Sequence, residues 1–200
     1  MMRTILLATG NQDKAKELKA MLGEDFEVLT MKDFGIEIEI IEDGLTYEEN
    51  ALIKVRALKS YVQGKDIIIM GDDSGLSVDC LNGEPGIYSA RYAGENVTYT
   101  NNNEKLLKEM TGVPEEQRGA AFITAIAMIF PDGRELTCEG LVRGKIAFEY
   151  CGQGGFGYDP LFIHEASGRC YGEMTKDEKN RLSHRAVATE KAREILSQKI

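Results

Sequence analysis

Residues 67–75 read IIIMGDDSG. Ile67, Ile68, Ile69 and Met70 are apolar at every position, so neither face of an extended segment here can meet water. The run reads as a central strand covered by helices on both sides, as in an α/β fold. Upstream, Ile5, Leu6, Leu7 and Ala8 form a second buried strand. TGNQDK (9–14) turns the chain, and Ala15, Leu18, Met21 and Leu22 then mark the apolar face of a helix stopped by Gly23. A short strand is expected over 26–29. Ile36, Ile38 and Ile40 alternate with Glu37 and Glu39, the pattern of a half-buried strand, and lead into an acidic corner at Glu42 and Asp43. Thr46 opens a second helix with Ala51, Val55, Leu58 and Val62 as its core stripe, and a capping box would turn Glu49 back to the Thr46 amide.

Beyond the central strand the chain looks more like sheet. Extended segments are expected over 76–81, ending in an Asn82-Gly83 turn, over 122–130, and over 135–148 after a PDG turn, with a helix over 104–110 between them. The last third holds a glycine-rich loop, GQGGFGYDP (152–160). A capping box at Thr175 and Glu178 follows, then an amphipathic helix through Ala192, Ile195 and Leu196. With 200 residues, 42% of them hydrophobic and 28% charged, the chain suits a single domain over 1–200.

The net charge of −9, with no Lys/Arg block, argues against extended DNA or RNA as a partner. It does not exclude a small phosphorylated ligand held by a few cations and backbone amides. Cys80, Cys138, Cys151 and Cys170 form no CxxC pair and read as buried thiols in a reducing compartment. The apolar run near the N-terminus is too short for a signal peptide or a membrane span, which makes the expected location cytoplasmic.

Several segments carry side chains suited to chemistry. TGNQDK joins a strand to a helix N-terminus, where amides and the helix dipole favour phosphate and Lys14 adds a point charge, although an ordinary capped helix has the same local sequence. Asp72 and Asp73 end a buried strand, a costly place for two carboxylates unless a cation compensates them. Magnesium is the natural ion, and Asp73 could also orient or deprotonate a water; the other reading of DDSG is a polar turn. Glu42 is a further candidate metal ligand. In the glycine-rich loop Phe156 and Tyr158 could lie against a planar base, and Asp159, held extended before Pro160, could present a polar group to it. KNRLSHR offers Lys179, His184 and Arg185, with Ser183 as an N-cap.

Taken in order, these motifs resemble the inosine triphosphate pyrophosphatase family: TGNQDK its TGNxxK, TYEENA its TFxENA, DDSGL directly, then PGIYSARYAG, GGFGYDPLF and the SHR near the C-terminus. The similarity covers nearly the whole chain. It implies two lobes around a long central mixed sheet flanked by helices, a homodimer, and magnesium-dependent release of pyrophosphate from inosine, deoxyinosine and xanthosine triphosphates. Carried over by position, Thr9, Gly10, Asn11, Gln12, Asp13 and Lys14 would hold the triphosphate. Asp73 would be the catalytic carboxylate and a metal ligand, with Glu42 and Asp72 as further ligands, and Ser74 would touch substrate. Phe156, Gly157, Tyr158, Asp159, Lys179, His184 and Arg185 would form the nucleoside end. Some relatives carry the metal-binding Glu one residue earlier, where this chain has Ile41. Two other readings stay open at this point: a pyrophosphatase for modified pyrimidine nucleotides, and a nucleotide-binding regulator without turnover.

Overall fold

The computed structural model describes residues 2–198. Six strands form one mixed sheet in the order β2-β1-β3-β4-β5-β6. β1 (Arg3–Leu7) and β2 (Phe26–Thr30) pair in parallel through α1 (Gln12–Leu22), and β1 pairs in parallel with β3 (Ile67–Val78), Ile5 opposite Ile68. A turn at 130–134 links β4 (Gly119–Ile129) to β5 (Glu135–Ile146), and β6 (Phe162–His164) runs antiparallel to β5.

The chain divides into two compact units. One comprises the described residues of Met1–Asp73, Thr124–Gly140 and Arg185–Ile200; the other comprises Ser74–Ile123 and Leu141–His184. In the first unit, strand alternation sorts the apolar side chains into two cores. Ile5, Leu7, Ile68 and Met70 pack with Ala15, Leu18 and Leu22 of α1 and with Ala188, Ala192 and Leu196 of α5 (His184–Ser197). Leu6, Ala8 and Ile69 point the other way, onto Ala51 and Val55 of α2 (Tyr47–Ala57) and onto Leu58 and Val62 beyond it. Both faces of the sheet are therefore covered. The second unit holds α3 (Tyr99–Glu109), α4 (Lys176–Leu182) and an aromatic cluster in which Phe122 lies 4.6 Å from Phe162 and, stacked at 9°, 4.5 Å from His184.

The structure departs from the sequence-based expectations at several points. GDDSG is neither a turn nor a strand end, because β3 runs unbroken through it to Val78. The alternating segment 36–40 has no regular secondary structure; its isoleucines are covered, yet no neighbouring strand takes its backbone bonds. α3 begins at Tyr99 rather than near 104, with Thr98 as its cap. Thr46 caps α2 as expected, but Glu49 accepts from the Leu45 amide rather than from Thr46. Of the four cysteines expected as thiols, Cys151 and Cys170 are joined as a disulfide. No helix among the described residues is long and apolar enough to cross a membrane.

Candidate active site

Adjacent strand residues face opposite ways, and this separates the roles of Asp72 and Asp73. Asp72 shares the face of Met70, toward α1 and α5. Asp73 shares the face of Ile69, toward α2.

On the α1/α5 side, Arg185 donates from Nε and Nη2 to Asp72 Oδ2 at 3.2 and 3.1 Å and from Nη1 to Glu17 Oε2 at 2.5 Å. Lys14 Nζ is 3.5 Å from the same Asp72 oxygen. Asp72 is fully buried. Burial alone would raise its pKa, but the charges of Lys14, Arg185 and Lys54 outweigh burial and hold the carboxyl well below the usual carboxylate range. For Lys14 burial prevails over the attraction of Asp72 and lowers the pKa. Asp72 Oδ1 is buried with no hydrogen-bond partner.

On the α2 side, Lys54 Nζ donates to Asp73 Oδ1 at 2.9 Å and to the Asp72 carbonyl at 3.0 Å, and lies 2.7 Å from Glu42 Oε2. Burial opposes the Lys54 charge, but Asp73 and Glu42 prevail and raise its pKa. Asn50 donates to Asp73 Oδ2 at 3.3 Å and accepts from the Gly44 amide at 2.9 Å, which fixes the acidic corner against the strand. A Cβ at Gly44 would lie 2.8 Å from Asn50 Oδ1. Gly71, facing the same way as Asp73, allows the helix to approach: a Cβ there would lie 3.1 Å from Val55 Cγ1 and 3.3 Å from Lys54 Cβ.

Asn11 caps α1, its side chain accepting from the Asp13 and Lys14 amides, while the Asn11 amide donates to Thr9 Oγ1 at 3.1 Å. A Cβ at Gly10 would meet nothing within 4 Å, so the turn is open on that side. Gln12 and Asp13 stand in the first turn of α1, ahead of Lys14.

In the second unit the glycine-rich loop is tied from its own end and from α4. The Asp159 carboxylate accepts from the Phe156 amide at 2.8 Å and from Lys179 Nζ at 2.5 Å, and the Lys179 ammonium lies 4.3 Å from the centre of the Phe156 ring. Gly155 and Gly157 have φ of 76° and 61°, in the left-handed region that suits glycine. A Cβ at Gly155 would overlap the Asp159 carboxylate at 2.1 Å. The Tyr158 hydroxyl donates to the Ser89 carbonyl at 2.8 Å, from the PGIYSARYAG segment. Phe156, Gly157, Tyr99 and Tyr150 line a cavity of about 540 Å³. Ser74 is half-buried on β3 and opens this unit.

The site residues named from sequence thus fall into two groups, one in each unit. The first holds Lys14, Glu42, Asp72, Asp73 and Arg185, and the second holds Phe156, Asp159, Lys179 and His184. Arg185 was expected at the nucleoside end, but its guanidinium is engaged by Asp72 and Glu17. Lys54, Asn50 and Glu17 were not singled out from sequence. For Lys54 the signal was present: it stands at 51, 54, 55, 58 spacing with Ala51, Val55 and Leu58, a lysine inside a buried apolar stripe. No group of three or more His, Cys, Asp or Glu side chains among the described residues is arranged to hold a metal by itself.

The chain is similar over nearly its whole length to several other proteins. It is 46% identical to a dITP/XTP pyrophosphatase of Caldanaerobacter subterraneus subsp. tengcongensis, covering 100% of this chain and 98% of the relative. It is 44% identical to a dITP/XTP pyrophosphatase of Clostridium perfringens, covering 98% of each. Among solved structures, the Ham1 protein of Staphylococcus aureus superposes with a TM-score of 0.84 at 36% identity, over 97% of this chain and 98% of that one. A sequence profile of the Ham1 family matches residues 5–195, and the chain belongs to that family.

Proposed function

We propose that this protein hydrolyses non-canonical purine nucleoside triphosphates, those of inosine, deoxyinosine and xanthosine, to the monophosphate and pyrophosphate. The observation that carries the reading is the largely buried charge cluster gathered around Asp72 and Asp73 of β3. Three cations, Lys14, Lys54 and Arg185, are set among four carboxylates, Glu17, Glu42, Asp72 and Asp73. A fold gains little stability from so many buried charges, so their presence in these positions points to a charged substrate. The names of the relatives favour deaminated purines over modified pyrimidines and turnover over mere binding.

Magnesium suits the donor set. Asp73 and Glu42 converge on one ammonium, and a hard cation that takes one or two carboxylates and completes its shell with phosphate oxygens and water needs no more from the protein. Asp72 is the least suited of the three expected ligands, because Arg185 and Lys14 already share its Oδ2; its role is to fix those two cations. When bound, the ion would polarise phosphate oxygens and offset charge on the leaving pyrophosphate. The chain's own part is positioning and electrostatics. Lys14 and the turn at Thr9, Gly10, Asn11, Gln12 and Asp13 hold the outer phosphates, and Asp73, oriented by Lys54 and Asn50, directs a water to the α-phosphorus. In the second unit Phe156 offers a ring face to the base, with Lys179 and Asp159 fixing the loop and His184 completing that end, while Ser74 touches substrate. A cytoplasmic homodimer is the setting that goes with this activity.

The test is a panel of inosine, deoxyinosine and xanthosine triphosphates beside the common triphosphates, with magnesium and product identification. The three deaminated purines should give monophosphate and pyrophosphate far faster than adenosine triphosphate. Orthophosphate released directly, with a nucleoside diphosphate left behind, would refute the reading.

A further inference from the structure

The disulfide is the feature of the second unit that the proposed activity does not use. Cys151 and Cys170 lie 6.1 Å apart at Cα, within the span a disulfide bridges without backbone distortion. Cys151 immediately precedes the glycine-rich loop, and Cys170 precedes Tyr171, whose ring packs 5.0 Å from Phe162. The two segments touch backbone to backbone. A Cβ at Gly152 would lie 2.2 Å from the Gly172 carbonyl, and one at Gly172 would lie 2.4 Å from the Cys151 carbonyl oxygen. Gly154 donates to the Gly172 carbonyl and Cys151 to the Pro160 carbonyl, each at 2.8 Å. The loop is held to the rest of its unit at several points, among them Tyr158 on Ser89, Gly157 through the Asn103 side chain and Gly154 on Gly172. The Asp159–Lys179 ion pair adds to these at the C-terminal end, and at the N-terminal end the covalent tie is a bond that thiols can open.

We propose that Cys151 and Cys170 are a reversible dithiol/disulfide modification site, closed by oxidation and opened by thiols, that sets how well the loop is preorganised for a nucleoside. The inference rests on the nucleotide-binding reading of that loop. Cys170 is 3% exposed and Cys151 is half-buried, so an incoming thiolate reaches the bridge at the Cys151 sulfur. The S–S bond breaks, Cys170 leaves as a thiolate and takes a proton, and a second thiol releases Cys151 from the mixed disulfide. Two electrons and two protons pass to the protein, and the two thiols depart as their own disulfide. The backbone hydrogen bonds and the paired glycines keep both cysteines in place, so a disulfide oxidant re-forms the bridge by the reverse exchange. Without the covalent tie the N-terminal part of the loop costs more to order around a ligand, which weakens binding more than it slows chemistry.

The test compares the wild-type protein, air-oxidised or reduced with dithiothreitol, with the Cys151→Ser/Cys170→Ser double variant. Peptide mass mapping, thermal midpoint and inosine triphosphate kinetics are read on each. The oxidised protein should yield a crosslinked 151–170 peptide, and reduction should raise KM about three- to tenfold with kcat within about twofold. The double variant should match the reduced protein and ignore the reductant. No crosslinked peptide, equal KM in both states, or a double variant that still responds to reductant through Cys80 or Cys138 would overturn the proposal. An oxidised, crosslinked protein that hydrolyses no triphosphate would instead refute the nucleotide-binding reading, and with it the role given to the bridge while leaving the bridge itself established.

Discussion

Lys54 Nζ and Asp73 Oδ1 stand 2.9 Å apart, both nearly buried, where β3 meets α2. The lysine aims the carboxylate by hydrogen bonding to it, and it touches Glu42 as well. Lys54→Met should lower kcat roughly a hundredfold or more, because the electrostatic alignment of the reacting groups is lost. It should also lower stability by about 3 kcal/mol by leaving Asp73 without its cation; Glu42, a third exposed, adds little. Steady-state kinetics with a denaturant titration reads both, and turnover within about threefold of wild type would remove Lys54 from the site.

Asp73→Asn keeps the shape of the side chain and removes its charge. The variant should fold, retain a cooperative transition, and lose about a hundredfold in turnover. Near-normal rates would mean that the water is directed from elsewhere.

Asp72 provides a pH test. A carboxyl held below its ordinary pKa contributes stability that is present above the unfolded value and is lost as pH falls through the folded one. Wild-type protein should therefore keep this contribution at neutral pH and lose it below about pH 4. Asp72→Asn should be less stable than wild type at pH 7, and the gap should narrow progressively as the pH falls from about 4 toward the lower folded value. A constant gap across that range would show that Asp72 is not ionised through its partners.

Arg185→Ala separates charge anchoring from base recognition. With its guanidinium on Asp72 and Glu17, its loss should reduce turnover of inosine and adenosine triphosphates by the same factor and destabilise the fold by about 3 kcal/mol. A selective loss with inosine triphosphate would return Arg185 to the nucleoside end.

Gly71→Ala tests the fit of α2 on β3. The added methyl meets Val55 and Lys54 at 3.1 and 3.3 Å, so the helix must move by a few tenths of an ångström. The expected result is a roughly tenfold loss of kcat with a modest stability cost. A variant indistinguishable from wild type would show that the approach has slack.

Much of this was legible in sequence because apolar periodicity reports local burial. Ile67, Ile68, Ile69 and Met70 declared a strand covered on both faces, and the spacing of Ala15, Leu18 and Leu22 declared the helix beside it. The continuation of β3 through Asp72 and Asp73 was not legible. A buried strand tolerates two carboxylates only because Lys14, Lys54 and Arg185 arrive from distant parts of the chain, and no local pattern announces them. The same dependence on tertiary partners hid the grip of Asp72 on Arg185. Residues 36–40 misled in the opposite direction: they alternate like a strand, but no neighbouring strand offers its edge. The cysteine bridge joins residues 19 apart, a spacing that carries no motif.

The opposed orientation of Asp72 and Asp73 also limits how this segment can drift. A residue deleted or inserted within 68–71 would leave the strand as apolar as before, yet it would turn every later side chain to the other face. Asp72 would then approach Lys54, and Asp73 would approach Lys14 and Arg185. Here the count of residues matters as much as their identity. Substitutions among the isoleucines are open to descendants of this chain, whereas a change in the length of 68–71 would exchange the partners of its two aspartates in one step.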